Sequence, residues 1–151
     1  MSIDARLTEL NITLPDAPAP AANYVPYVQT GNLLFVSGQI SSGPDGLIKG
    51  RLGADMDVTQ GAAAARACGL ALLAQANAAL GSLDRVARVV KLTGFVASTP
   101  DFTDQPEVVN GCSDLMVEIF GDKGRHARAA VSAAALPRGV AVEIEAIFEI
   151  A

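Results

Sequence analysis

Tryptophan is absent from the 151 residues, histidine occurs once and cysteine twice, and each shortage closes off a class of function. With no Trp and only five Phe and two Tyr, the core must come mainly from aliphatic side chains in a chain that is half hydrophobic. Cys68 and Cys112 lack any CxxC spacing and have only His126 to join them, so a zinc site would be short of ligands. Two buried, reduced thiols are expected instead, with no metal and no organic cofactor. A Ser-His-Asp triad would have to use His126, and a histidine between Arg125 and Arg128 reads as a surface loop residue. No GxGxxG, Walker A or GxSxG motif is present. The eleven Lys and Arg are scattered without a run, and the net charge of −5 works against gripping a phosphate backbone, so no nucleic-acid partner is expected. No signal peptide opens the chain and no apolar run is read as a membrane span, which makes cytoplasmic placement without a membrane partner the expectation.

What is there reads as one domain over residues 1–151. Residues 1–14 alternate weakly and suggest a short strand, followed by a proline- and alanine-rich surface loop at 16–23. Tyr27 to Ile40 reads as two strands around the turn residues Thr30-Gly31-Asn32. Pro44-Asp45-Gly46 marks a second turn. Asp57 with Gln60 three residues later forms a capping-box pattern that opens a long helix, and Gly81 is placed to end it. Ala65, Gly69, Leu72, Ala76 and Leu80 recur along it at helical spacing. Arg85 to Ala97 is rich in β-branched residues and reads as a central strand. Thr103 or Asp104 caps a second helix, with Pro106 in its first turn, a stripe of Val109, Cys112, Met116 and Phe120, and Gly121 at its end. The predicted class is α+β, with two helices on one face of a mixed sheet.

The last quarter of the chain carries the chemistry. Val140, Val142, Ile144, Ala146, Phe148 and Ile150 alternate with Glu143, Glu145, Ile147 and Glu149, so a strand here buries one side and presents a row of carboxylates on the other. With Ala127 to Ala135 as the first arm and Leu136-Pro137-Arg138-Gly139 as the turn, the pattern predicts a hairpin that brings Arg128 near Glu143. The planar Arg fork suits a carboxylate ligand, and a neighbouring glutamate can orient water or move a proton. The same pair also reads as an ordinary cross-strand ion pair, which spacing alone favours.

Three blocks carry a family resemblance: GNLLFVSGQI at 31–40, VVKLTGFVAS at 89–98 and HARAAVSAAALPRGVAVEIEAI at 126–147. From about Tyr24 to the end the chain resembles the RidA family, also called YjgF/YER057c/UK114 or endoribonuclease L-PSP. The segment 108–128 is similar to a longer sub-branch often labelled YjgF/chorismate-mutase-like. The resemblance implies a chorismate-mutase-like fold assembled as a homotrimer. It also implies enamine/imine deaminase activity on a small carboxylate-bearing metabolite. By that resemblance Arg128 grips the substrate carboxylate and Glu143 positions the attacking water. Tyr24 lies beside the ligand, Gly38 offers a backbone carbonyl, and Ala130 a backbone amide. Three positions depart from the family pattern: His126 stands where the family has proline, Ala129 where it has serine, and Ala130 where cysteine is common, the last affecting only a backbone contact. A small-acid-binding or regulatory trimer and an endoribonuclease are the other functions the resemblance allows.

Overall fold

Ser2 opens the chain as a helix cap, its hydroxyl accepting from the Ala5 amide at 3.1 Å. The computed structural model describes residues 1–20 and 22–151, and in it Ile3–Glu9 form helix α1 where a short strand was expected. Ile3, Leu7 and Leu10 stand one and two turns apart and pack on the core, a helical period that the weaker alternation masks. Arg6 ties α1 down by donating from Nε to the Glu118 carbonyl at 2.8 Å. Among the described residues three α-helices form, where two were expected.

Strands β1 (Tyr27–Thr30) and β2 (Leu33–Ile40) pair about Gly31, whose φ of +58° favours glycine, and β3 (Ser42–Gly43) and β4 (Gly46–Leu47) pair about Pro44-Asp45. Helix α2 spans Val58–Leu80 with both hydrogen bonds of the Asp57/Gln60 capping box formed and Gly81 in a left-handed cap. Strand β5 (Val86–Ala97), helix α3 (Gln105–Phe120), strand β6 (Ala127–Ala133) and strand β7 (Val142–Ile150) complete the fold. Asp104 precedes α3 as its cap residue but makes no side-chain cap bond.

The sheet runs β1-β2-β7-β5-β6, antiparallel except where β6 lies parallel to β5. The expected hairpin between β6 and β7 therefore does not form, because β5 lies between them. The physical reason is the helix ahead of β6. A strand, a helix packed back on the sheet and a second strand make a parallel crossover, and α3 delivers β6 to the outer edge of β5. Residues 134–141 then cross back so that β7 can pair with β5 on one side and β2 on the other. Leu136 to Gly139 is a turn, with Arg138 at a φ of +59°, but not a hairpin turn.

Helices α2 and α3 cover one sheet face, where Leu34, Leu92, Ile144 and Phe148 are buried against Leu72, Leu73, Leu115 and Met116. The two helices approach so closely that a Cβ on Gly111 would collide with the Ala62 backbone carbonyl. By length and composition alone α2 is long and apolar enough to cross a membrane, but 61% of its most apolar window is buried inside the domain, as in a core helix. Cys68 and Cys112 are buried and free, as expected.

Candidate functional site

The site begins with an irregularity in β2. Val36 pairs with Ala146 and Gln39 with Ile144, so Ser37 and Gly38 together oppose Glu145 alone, which is a β-bulge. Gln39 holds the bulge by donating to the Ser37 carbonyl at 2.9 Å, and it accepts from Gln75 of α2 at 3.4 Å. Gln75 also donates to the Pro18 carbonyl at 2.6 Å, which pins the N-terminal segment beside the bulge. β1 leaves the sheet before this point, so the outer edge of β2 borders an open cleft of about 1290 Å³. Tyr24, Gly38, Glu143 and Glu145 line it, with Leu14, Leu47 and Leu70 among its apolar walls.

Glu143 projects from β7 on the face away from the helices, between Ile40 of β2 and Phe95 of β5. Its carboxylate rests on Gly38, in the space a Cβ there would need. Partial burial raises the proton affinity of this carboxyl above the usual glutamate range, and the like charge of Glu145 adds to the effect. A carboxyl so tuned can take a proton from water near neutral pH more effectively than a fully solvated one.

Arg128 is elsewhere. It stands on β6 in register with Leu92, which is in register with Ala146, and both of those are buried beneath the helices. Its Nη1 donates to Asn110 Oδ1 at 2.8 Å and to Ser113 Oγ at 3.2 Å, both on α3. Arg128 and Glu143 therefore lie on opposite faces of the sheet, with β5 separating their strands by roughly 10 Å. Neither the predicted proximity nor the alternative cross-strand ion pair occurs within one chain. Ala130 follows Arg128 on the same edge strand, opposite Gly94. The structure thus gathers Tyr24, Gly38 and Glu143 into one cleft and leaves Arg128 and Ala130 apart from it.

Two residues read as loop positions acquire further surroundings. Arg138 lines the Glu143 cleft as well as the turn. His126, expected on a surface loop, is half-buried, with Nδ1 2.6 Å from the Gly124 carbonyl and Nε2 2.9 Å from Ser113 Oγ. Nothing in the local sequence pairs His126 with Ser113, thirteen residues back. The row Glu143, Glu145 and Glu149 shares one face with Ile147, Phe35 and Val28, and there Phe35 and Val28 are 40% and 52% exposed.

The family model described as Endoribonuclease L-PSP matches residues 14–150. Protein TCP17 of Trypanosoma cruzi is 54% identical over 98% of this chain and 94% of its own length. The crystal structure of Atu1372 from Agrobacterium tumefaciens, a protein with unknown function, is 49% identical and superposes with a TM-score of 0.91 over 99% of this chain and 92% of that one. E. coli TdcF with bound serine is 28% identical, with a TM-score of 0.64 over 89% and 94% of the two chains. The gap between those two scores agrees with a sub-branch that shares the family fold but differs in detail. The chain belongs to the Endoribonuclease L-PSP family, the group also called RidA or YjgF/YER057c/UK114.

Proposed function

We propose that this protein is a homotrimeric, cytoplasmic enamine/imine deaminase that converts 2-aminoacrylate-like acids to 2-oxo acids and ammonia. One observation carries the assembly: Arg128 and Glu143 occupy opposite faces of one sheet. A substrate held by its carboxylate at Arg128 meets a water directed by Glu143 only when a second copy brings its Arg128 to the first copy's cleft. The exposed Val28, Phe35 and Val131 suit such an interface, since covering them removes apolar surface from water.

In the chemistry proposed, the enamine tautomerises to the 2-imino acid. Water then adds to the imine carbon, Glu143 accepting its proton as the carbon–oxygen bond forms. Glu143 passes that proton to the former imine nitrogen to give the carbinolamine. This collapses as the carbon–nitrogen bond breaks and the carbonyl forms, Glu143 carrying the hydroxyl proton to the leaving nitrogen, and the net change is imine plus water to 2-oxo acid plus ammonia. Tyr24 flanks the ligand, and the Gly38 backbone borders the reacting water.

A non-catalytic small-acid-binding trimer is the second reading, favoured by the serine bound in E. coli TdcF. The ribonuclease reading rests on the family's name and is opposed by the net charge of −5. A defined RNA cleavage product that is lost in Arg128→Ala would support it.

Mixing two inactive variants tests the shared site. Arg128→Ala and Glu143→Gln proteins, refolded together, should regain about a quarter of wild-type ammonia release, because random exchange within a ring leaves that share of junctions with both groups intact. Light scattering on the same samples should give a trimer. No recovery, or a 15.5 kDa particle, removes the shared-site reading.

A further inference from the structure

We propose that His126, Ser113 and Asn110 are positioning residues that decide which edge of Arg128 meets the substrate carboxylate. The inference rests on reading Arg128 as the carboxylate-binding group, although the hydrogen-bond chain can be measured without substrate.

The chain starts at Gly124. This glycine sits so close to α3 that a Cβ would collide with the Met116 carbonyl, and the approach sets its own carbonyl 2.6 Å from His126 Nδ1. A carbonyl only accepts, so Nδ1 carries the proton, and Nε2 of the neutral ring is an acceptor. Burial disfavours the charged ring most, the Gly124 bond opposes this in part, and the Arg128 cation nearby adds a lesser effect against the charged form. Ser113 Oγ, 2.9 Å from Nε2, then donates its only proton to the ring. Its lone pairs are turned to Arg128 Nη1 at 3.2 Å.

Asn110, one turn before Ser113 on α3, accepts at Oδ1 from the same Nη1 at 2.8 Å. Both hydrogens of Nη1 are therefore engaged by the protein. Among the described residues neither Nε nor Nη2 of Arg128 has a hydrogen-bond partner, so the guanidinium presents its Nε–Nη2 side as the two-pronged carboxylate fork. Without His126 the Ser113 hydroxyl is free to rotate and turn its proton toward the guanidinium. The fork then loses its fixed orientation while Arg128 itself remains.

His126 is the only histidine, so its ring nitrogens give unambiguous signals in a ¹⁵N NMR spectrum of the full-length protein. The expected spectrum at pH 7 is a neutral ring protonated at Nδ1, with the Nε2 signal shifting in Ser113→Ala. A ring protonated at Nε2, or a charged ring, overturns the proposal. In the second arm, 2-oxobutanoate binding is measured by calorimetry and enamine turnover by ammonia release. His126→Ala and Ser113→Ala should each weaken binding or raise KM about tenfold, the worth of a hydrogen bond to a charged group, with kcat within about twofold of wild type. The double variant should be no worse than Ser113→Ala, because His126 acts through the serine. Additive losses, or a fall in kcat at constant KM, overturn the proposal. Binding without turnover in wild type ends the deaminase reading but leaves these affinity ratios as the test. A wild type that binds no 2-oxobutanoate ends both.

Discussion

The carboxylate of Glu143 lies where the Cβ of any other residue at position 38 would have to be. Gly38 and Glu143 are thus one unit, with the bulge in β2 supplying the floor on which the glutamate rests. Gly38 lacks the positive φ that demands glycine, so an alanine there is not strained by its backbone. The atom it would displace is the end of a flexible side chain, which can swing away. Gly38→Ala should therefore fold with nearly unchanged thermal stability yet lose on the order of 10²-fold in deamination, the scale of misplacing a catalytic group by an ångström. A stable variant with wild-type turnover would separate the bulge from function.

Glu143→Gln and Glu145→Gln share a strand face but not surroundings. Glu143 is half-buried against Gly38, while Glu145 is exposed beside it. A proton-transfer role predicts a loss on the order of 10²–10⁴ in rate for Glu143→Gln with 2-oxo acid binding retained. For Glu145→Gln the expected change is small, in keeping with an exposed charge. Equal effects in an ammonia-release assay would mean that the carboxylate row acts only as a charged surface.

Stability should respond to pH at Glu143. Its folded-state proton affinity is raised, so the native state binds the proton more tightly than the unfolded chain does. The corresponding stability is present below the ordinary glutamate value of 4.5 and is lost as pH rises through the higher folded value. Glu143→Gln removes this loss. Its melting temperature relative to wild type should rise from pH 4 to pH 7, modestly because the carboxyl is still partly solvated. Melting curves across that range check the sign, and a constant or falling difference contradicts it.

Gly111→Ala tests the helix pair. A Cβ there meets the Ala62 backbone, which cannot swing aside as a side chain can, so α2 and α3 must separate. The expected cost is about 1–3 kcal/mol or more, read as a lowered denaturation midpoint. An unchanged midpoint would mean that the helices adjust freely.

Local chemistry was legible in the chain wherever one residue's neighbours in sequence were also its neighbours in space. Asp57, Gln60 and Gly81 bound α2 because caps act within a few residues. The alternation from Val140 to Ile150 declared which side of β7 is buried, and Gly31 marked the first hairpin. Ser2 carried the same kind of signal for α1, but seven helical residues are too few for periodicity to stand out against weak alternation. Adjacency between strands was another matter. Nothing local tells β6 to pair with β5 and not with β7; that follows from α3 packing back on the sheet, a long-range burial of apolar surface. The same choice put Arg128 on the helix face, 128 and 143 on opposite sides, and His126 within reach of Ser113. The sequence alone determined which side chains could bind a carboxylate and move a proton. Tertiary structure decided that one chain holds these two functions apart, because the strand between them and the alternation of faces are products of packing.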